Sequence, residues 1–176
     1  MIPTWYIALI PEAYEYEALD RFARAVQLEI PEIEIPRPPR HLTIIPPFKA
    51  PTSVAAKALI ELRALVEPFT ANTEGWWYFQ EHRSWYLRIQ ARQEFIELEN
   101  AGRERLAGRG LIPPIEPRIH HITLAKDKDK HETNRLMAAL LTRQKPPVSH
   151  LRFAQISLVQ KQENEQAAWI ISVPFS

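Results

Sequence analysis

The sequence predicts an α+β protein built from two similar halves, and three observations carry that prediction. Short β-rich apolar runs interleave with stretches whose apolar residues recur at helical spacing. The order strand, helix, strand, helix, strands occurs twice along the chain. One tetrapeptide, histidine–apolar–threonine–apolar, occurs once in each half and at the same place in that order.

Trp5 to Ile10 is a short apolar run that fits a strand. Leu19, Phe22, Ala23 and Val26 then fall on one face of a helix expected over 12–27. Residues 28–40 carry four prolines and no helical period, which predicts an extended loop. His41 to Ile45 reads as a strand ended by Pro46 and Pro47. Ser53 is expected to cap a second helix, with Ala55, Leu59, Leu62 and Val66 as its apolar stripe up to Pro68. Two strands follow, over 70–79 and 84–89, joined by a turn at Glu81, His82 and Arg83.

In the second half, Phe95, Leu98, Gly102 and Leu106 mark a helix that ends near Gly108. A proline-rich loop over 113–117 leads to a strand over 119–125 and a charged turn over 126–130. A short helix over 132–141 carries Leu136, Ala139 and Leu140 on one face. Residues 148–160 and 168–174 close the chain as two strands.

Composition bounds the function. With 45% hydrophobic and 24% charged residues, 176 residues can bury a sizeable core. A net charge of +1 argues against a broad electrostatic grip on duplex nucleic acid. No cysteine is present, so disulfides, thiolate zinc sites, iron–sulfur clusters and cysteine nucleophiles are excluded. No run approaches the roughly 20 apolar residues of a membrane helix. The first residues lack a basic leader and their apolar run stops at Pro11, so a cytoplasmic protein without membrane contact is expected. The 16 prolines against 4 glycines fall mostly between periodic segments, where they stiffen loops.

The chemistry lies in the repeated tetrapeptide: His41-Leu42-Thr43-Ile44 and His121-Ile122-Thr123-Leu124. One such match is expected about 0.05 times in a chain of this composition, so two in matched positions are a strong signal. On a strand, His41 and Thr43 share one face while Leu42 and Ile44 share the other, and the second copy repeats this. Each copy therefore offers an imidazole beside a hydroxyl. Two imidazoles near neutrality can divide the work of base and acid. Two hydroxyls can donate to the non-bridging oxygens of a phosphodiester, where charge grows in the transition state. No metal is called for, because carboxylates are absent beside either motif and no His-x-x-x-His pair occurs. A serine hydrolase fits poorly without a Gly-x-Ser-x-Gly elbow.

Twin His-x-Thr motifs in a duplicated chain of this length resemble the two-histidine phosphoesterase superfamily. Within it, the likeness is to the RNA 2′,3′-cyclic phosphodiesterases, or 2′–5′ RNA ligase family. That resemblance implies a bilobed pseudo-twofold fold, each lobe an antiparallel sheet flanked by helices, with an active cleft between the lobes. It further implies that residues 1–176 form a single domain of two intertwined lobes with one motif each. His41 and His121 would be catalytic, Thr43 and Thr123 would hold the phosphate, and Lys126 matches a basic residue that usually follows the second motif. The expected substrate is an RNA end or a small nucleotide, opened at a 2′,3′-cyclic phosphate to a 2′-phosphate, with 2′–5′ ligation as the reverse. No cofactor is expected, and the chain is expected to act as a monomer. Which histidine is base and which is acid stays open. The alternatives are a non-catalytic RNA-end or nucleotide-binding module, or a hydrolase of another phosphodiester. This chain departs from the family in carrying His120 where proline usually precedes the second motif; alternation turns His120 away from His121, as a core or rim residue.

Lesser candidates follow from position. Phe48 either stacks on a base or packs its loop onto the body. The aromatic hairpin of Trp76, Trp77, Tyr78, Phe79, Trp85 and Tyr86 is expected to be mostly core, with one face available to a cleft. Arg40 and Arg118 are expected on the face opposite their histidines. Arg37, Arg40, Lys49 and Lys126 are either a local funnel for an anion or solvated surface charge. His82, His131 and His150 read as surface residues.

Overall fold

Alternation builds the first strand. In β1 (Thr4–Leu9) Trp5, Ile7 and Leu9 are buried, while Tyr6 between them is half-buried on the opposite face. The computed structural model describes residues 2–36, 39–111, 113, 119–127, 131–161 and 170–176, with the backbone alone at 131 and 132. The segments 114–118, 128–130 and 162–169, with Arg37 and Arg118, lie outside the described residues, as do the side chain of His131 and most of the proline-rich loop.

The helix α1 (Ala13–Glu29) buries Leu19, Ala23 and Val26, the stripe its spacing predicts. The expected loop after it contains a two-residue strand, β2 (Ile33–Glu34), which pairs with a later strand and buries Ile33. In β3 (Leu42–Lys49) the two prolines do not end the strand, contrary to expectation. The β1–β3 register jumps from Ile7↔Ile45 to Trp5↔Phe48, so the prolines occupy a bulge where a missing N–H interrupts no paired position. The helix α2 (Thr52–Leu62) buries Ala55, Ala58, Leu59 and Leu62. Ser53 does not cap it. Pro51 is the capping residue, its carbonyl accepting from Val54 and Ala55 N–H, which leaves Ser53 exposed in the first turn.

The hairpin strands β4 (Phe69–Phe79) and β5 (Ser84–Ile89) fall where expected, and α3 (Gln93–Ala107) buries Phe95, Leu98, Gly102 and Leu106. The strand β6 (His121–Asp127) runs into the expected charged turn, because Lys126 and Asp127 pair with β2. In α4 (His131–Leu141) the buried residues are Thr133, Met137 and Leu141, whereas Leu136 is 46% exposed. The helix carries two apolar stripes, and contact with Ala23, Val26 and Leu124 selects the one containing Met137. The strand expected over 148–160 splits at Ala154 into β7 (His150–Phe153) and β8 (Gln155–Gln160), and β9 (Ile170–Pro174) ends the chain.

The sheet order is β7-β4-β5-β6-β3-β1-β8-β9, with antiparallel pairing at each step and β2 beside β6. It divides at the β3–β6 contact into two sets of four strands. Each set mixes early and late chain: β1 and β3 with β8 and β9, and β4, β5 and β6 with β7. The break at Ala154 follows from this, since β7 and β8 belong to opposite ends of the sheet. Two apolar clusters lie under the sheet. The larger joins Leu42, Ile44 and Ile122 to Leu59 of α2 and Phe95 of α3, and the smaller joins Leu124 and Trp85 to α1 and α4. The helices therefore cover the face opposite His41, Thr43, His121 and Thr123. Among the described residues no helix is long and apolar enough to cross a membrane.

Candidate active site

The two tetrapeptides meet at their second residues. Strands β3 and β6 are antiparallel neighbours bridged at Leu42↔Ile122. Continuing that register by one residue sets His41 toward Thr123 and Thr43 toward His121, so the four polar side chains form a diagonal set around one apolar pair. All four are half-buried, while Leu42, Ile44, Ile122 and Leu124 are buried behind them. The sequence periodicity thus converts directly into a polar patch at the midline of the sheet.

Each motif ends in a bulge at its fourth residue. In β3 the pairs Ala8↔Thr43 and Ile7↔Ile45 leave Ile44 extra; in β6 the pairs Tyr86↔Thr123 and Trp85↔Ala125 leave Leu124 extra. A bulge changes which face the following residues take. Plain alternation puts Lys126 with Leu124, on the core side. The bulge instead pairs Lys126 with Ser84, on the face shared by Tyr86 and Thr123, and Lys126 is exposed there. Lys49 reaches the same face, because it pairs with Thr4 and β1 alternates without a bulge through Tyr6 and Ala8.

The imidazoles are anchored alike. His41 Nδ1 lies 2.7 Å from the Pro39 carbonyl and His121 Nδ1 lies 2.6 Å from the Ile119 carbonyl, in each case two residues upstream. A carbonyl only accepts, so Nδ1 carries the proton and donates it, and Nε2 holds the lone pair of the neutral ring. Aromatic rings flank both: Tyr6 at 4.8 Å from His41, and Phe79 and Tyr86 each at 5.1 Å from His121. Burial pushes the His41 pKa below the ordinary imidazole value, against the bond to Pro39; charge on His121 and on Arg40 lowers it further. Burial also pushes Tyr6 up to about 12, so its hydroxyl stays protonated.

Behind the patch, the residue before each histidine is tied to a helix carboxylate. Arg40 is 3% exposed; its Nη1 donates to the carbonyls of Thr123 and Leu124 at 3.2 and 3.1 Å, and Nη2 lies 3.5 Å from Asp20 Oδ1 of α1. His120 Nε2 lies 3.1 Å from Glu99 Oε1 of α3, with its ring 4.6 Å from Phe95. Both side chains turn away from the histidines they precede, as alternation predicts. Arg40 supplies cross-links that the single-pair β3–β6 ladder lacks. Arg40→Met is expected to destabilise the fold by about 2–3 kcal/mol, the range for buried bonds to a charged group. A urea midpoint within about 0.5 kcal/mol of wild type, read through an unchanged m-value, contradicts that role.

Several expectations need revision. Phe48 is 6% exposed and lies in the main core against Trp5, because the bulge at Ile44 and the one at the prolines cancel and leave it on the face of Leu42; it offers no surface for a base. The aromatic hairpin divides evenly. Trp76, Tyr78 and Trp85 pack on the smaller core, while Trp77, Phe79 and Tyr86 share the face of Thr123. Of the basic residues, Lys49 and Lys126 reach the site face and Arg40 does not. His82 and His150 are exposed. Sequence reasoning missed Tyr6 and understated Phe79 and Tyr86 as neighbours of the histidines. The signal for Tyr6 was its place in β1, out of phase with Trp5, Ile7 and Leu9. Among the described residues no group of three or more His, Asp or Glu is placed to hold a metal ion.

The sequence matches the model of the 2′-5′ RNA ligase superfamily over residues 16–165. No curated protein shows a significant match. The fold is similar to that of E. coli LigT complexed with 3′-AMP, with a TM-score of 0.71 and 19% identity over 98% of this chain and 96% of that one. It is also similar to TT0787 of Thermus thermophilus, with a TM-score of 0.69 and 20% identity over 97% and 94% of the two chains. At these identities the structural likeness is one of fold.

Proposed function

The chain belongs to the 2′-5′ RNA ligase superfamily of two-histidine phosphoesterases, and on that premise we propose that it opens 2′,3′-cyclic phosphates of RNA ends or nucleotides to 2′-phosphates. The observation that carries this reading is the paired anchoring of His41 and His121 at Nδ1, on the strand face that both rings share with two threonines. Residues 1–176 work as a single domain of two intertwined lobes, and one copy suffices because both motifs come from one chain. The LigT structures complexed with 3′-AMP, with phosphate and with ATP lend support to a nucleotide phosphate as ligand here.

The reaction divides between the histidines. His41, held neutral by burial, takes a proton from water at Nε2 as the water oxygen attacks phosphorus. The bond from phosphorus to the ribose 3′ oxygen breaks, and His121 gives its Nε2 proton to that oxygen. Water thus adds one hydroxyl to phosphorus and one proton to the leaving oxygen, and solvent exchange resets the two rings. Thr43 and Thr123 donate to the non-bridging oxygens, and the Lys126 ammonium offsets their charge. A 5′-hydroxyl in place of water yields a 2′–5′ bond.

A pH–rate profile for a 2′,3′-cyclic nucleotide, measured in EDTA, tests the assignment. Because the base must be neutral and the His41 pKa is lowered, the acid limb falls below the ordinary imidazole value of about 6.5. Removing the charge of His121 relieves part of that lowering, so the His41 ring titrates at higher pH in His121→Ala, as read by NMR. An acid limb above the ordinary value, or a His41 titration that moves down in the variant, reverses the roles.

A further inference from the structure

We propose that Trp77 and Arg88 form a stacking subsite for the nucleotide on the 5′ side of the one that carries the reacting phosphate, so that the site takes an RNA strand end in preference to a mononucleotide. The proposal rests on the reading of the site as a phosphodiesterase of RNA ends.

The face of the β4–β5 hairpin continues the site face without a break. Arg88 pairs with His121 across β5 and β6, Tyr86 pairs with Thr123, and Trp77 pairs with Tyr86. At the usual strand spacing Trp77 lies two strands, about 10 Å, from Thr123. Trp77 is 47% exposed, and the Arg88 guanidinium carbon sits 4.8 Å from the centre of its ring. The guanidinium is held in that pose by Glu74, whose Oε2 accepts from Arg88 Nε at 2.7 Å.

The backbone is shaped to make this contact. The β4–β5 register jumps between Thr73↔Ile89 and Gly75↔Arg88, so Glu74 is the extra residue of a bulge and is re-aimed toward Arg88. Gly75 has φ of +108°, which only glycine adopts without strain, and a Cβ there meets nothing within 4 Å. The strand is therefore uncrowded at Gly75, the residue that pairs with Arg88. The Arg88–Glu74 pair is 38% and 39% exposed, so it adds little to stability. What it does is hold a guanidinium over an indole.

The occupant follows from that chemistry. Bases stack on aromatic rings and on guanidinium planes, and a guanidinium edge can also meet a phosphate oxygen. A platform that is aromatic, cationic and continuous with the patch of His121 and Thr123 suits a base with its own phosphodiester attached. A mononucleotide at the histidines has no second base to place there.

Turnover of a nucleoside 2′,3′-cyclic monophosphate is compared with turnover of a trinucleotide ending in the same cyclic phosphate. Wild type is expected to favour the trinucleotide in kcat/KM. Trp77→Ala and Arg88→Ala are each expected to lower trinucleotide kcat/KM by about 10-fold or more, the loss expected for one stacked base, and to leave the monophosphate within about twofold. Equal losses on both substrates, or no preference in wild type, overturn the subsite while the reaction stands. Fluorescence anisotropy of a labelled trinucleotide 3′-phosphate reads binding without catalysis. If wild type turns over neither substrate yet both variants weaken this binding, the subsite holds and the phosphodiesterase reading fails. If the variants bind as tightly as wild type, the subsite is wrong.

Discussion

His41→Ala and His121→Ala are each expected to lower kcat for opening of a 2′,3′-cyclic phosphate by about 10³- to 10⁴-fold, at the upper end of what one positioned acid or base contributes. The double variant is expected to fall little further. The two rings act on one proton inventory, and removing either leaves the other without a partner step. Both side chains are half-buried on the face away from the helices, and each is bonded to a carbonyl only two residues upstream, so the fold should survive. Circular dichroism and the urea midpoint separate loss of chemistry from loss of structure. Losses that multiply in the double variant contradict a concerted pair. So does a single variant that keeps near-wild-type kcat.

Thr43→Ala and Thr123→Ala come second, with about 10- to 1000-fold expected losses each, the range for one donor to a developing oxyanion. The effect should fall on kcat more than on KM, because the hydroxyls meet charge that grows only in the transition state. Thr→Ser at either position should recover most of the rate, since the hydroxyl returns and only a methyl group is lost. Thr→Val should behave like Thr→Ala, because it restores volume without a donor. A rate that follows volume and ignores the hydroxyl assigns the threonines to packing. The matched register around Leu42 and Ile122 predicts comparable losses at the two positions.

Much of this was legible in the sequence because local periodicity and tertiary burial agree. The strand face of His41 and Thr43, the helix stripes of α1 and α3, and the turning away of Arg40 all follow from counting by two or by 3.6. The failures share a cause: they depend on which partner an element meets. The bulges at Ile44 and Leu124 change parity, and pairing across strands reveals them where sequence spacing does not. The single bulge of β6 carries Lys126 onto the site face, whereas in β3 a second bulge at the prolines cancels the first and leaves Phe48 on the core face of Leu42. Spacing alone does not settle the buried stripe of α4, because two apolar stripes are available and the packing against α1 selects between them. The break at Ala154 is a matter of topology, since residues on either side pair with opposite ends of the sheet. His120 illustrates a different limit: spacing shows where it points, but Glu99 as its partner is supplied by a helix more than 20 residues earlier.

The pseudo-symmetry extends past the motif. Each histidine has a tyrosine neighbour from the adjacent strand, Tyr6 from β1 and Tyr86 from β5, and each motif is preceded by a basic residue held by a helix carboxylate. At the first copy, burial disfavours the protonated form of His41. Keeping that imidazole neutral is a physical route to making it the base.

The most direct test of the central claim is product identity. Wild-type protein and the His41→Ala/His121→Ala double variant are incubated in EDTA with nucleoside 2′,3′-cyclic monophosphates and a short RNA ending in a cyclic phosphate, and products are resolved by chromatography and mass spectrometry. The account predicts a 2′-phosphate from wild type and no product from the folded variant. A 3′-phosphate, activity abolished by EDTA, or no turnover by folded wild-type protein contradicts it.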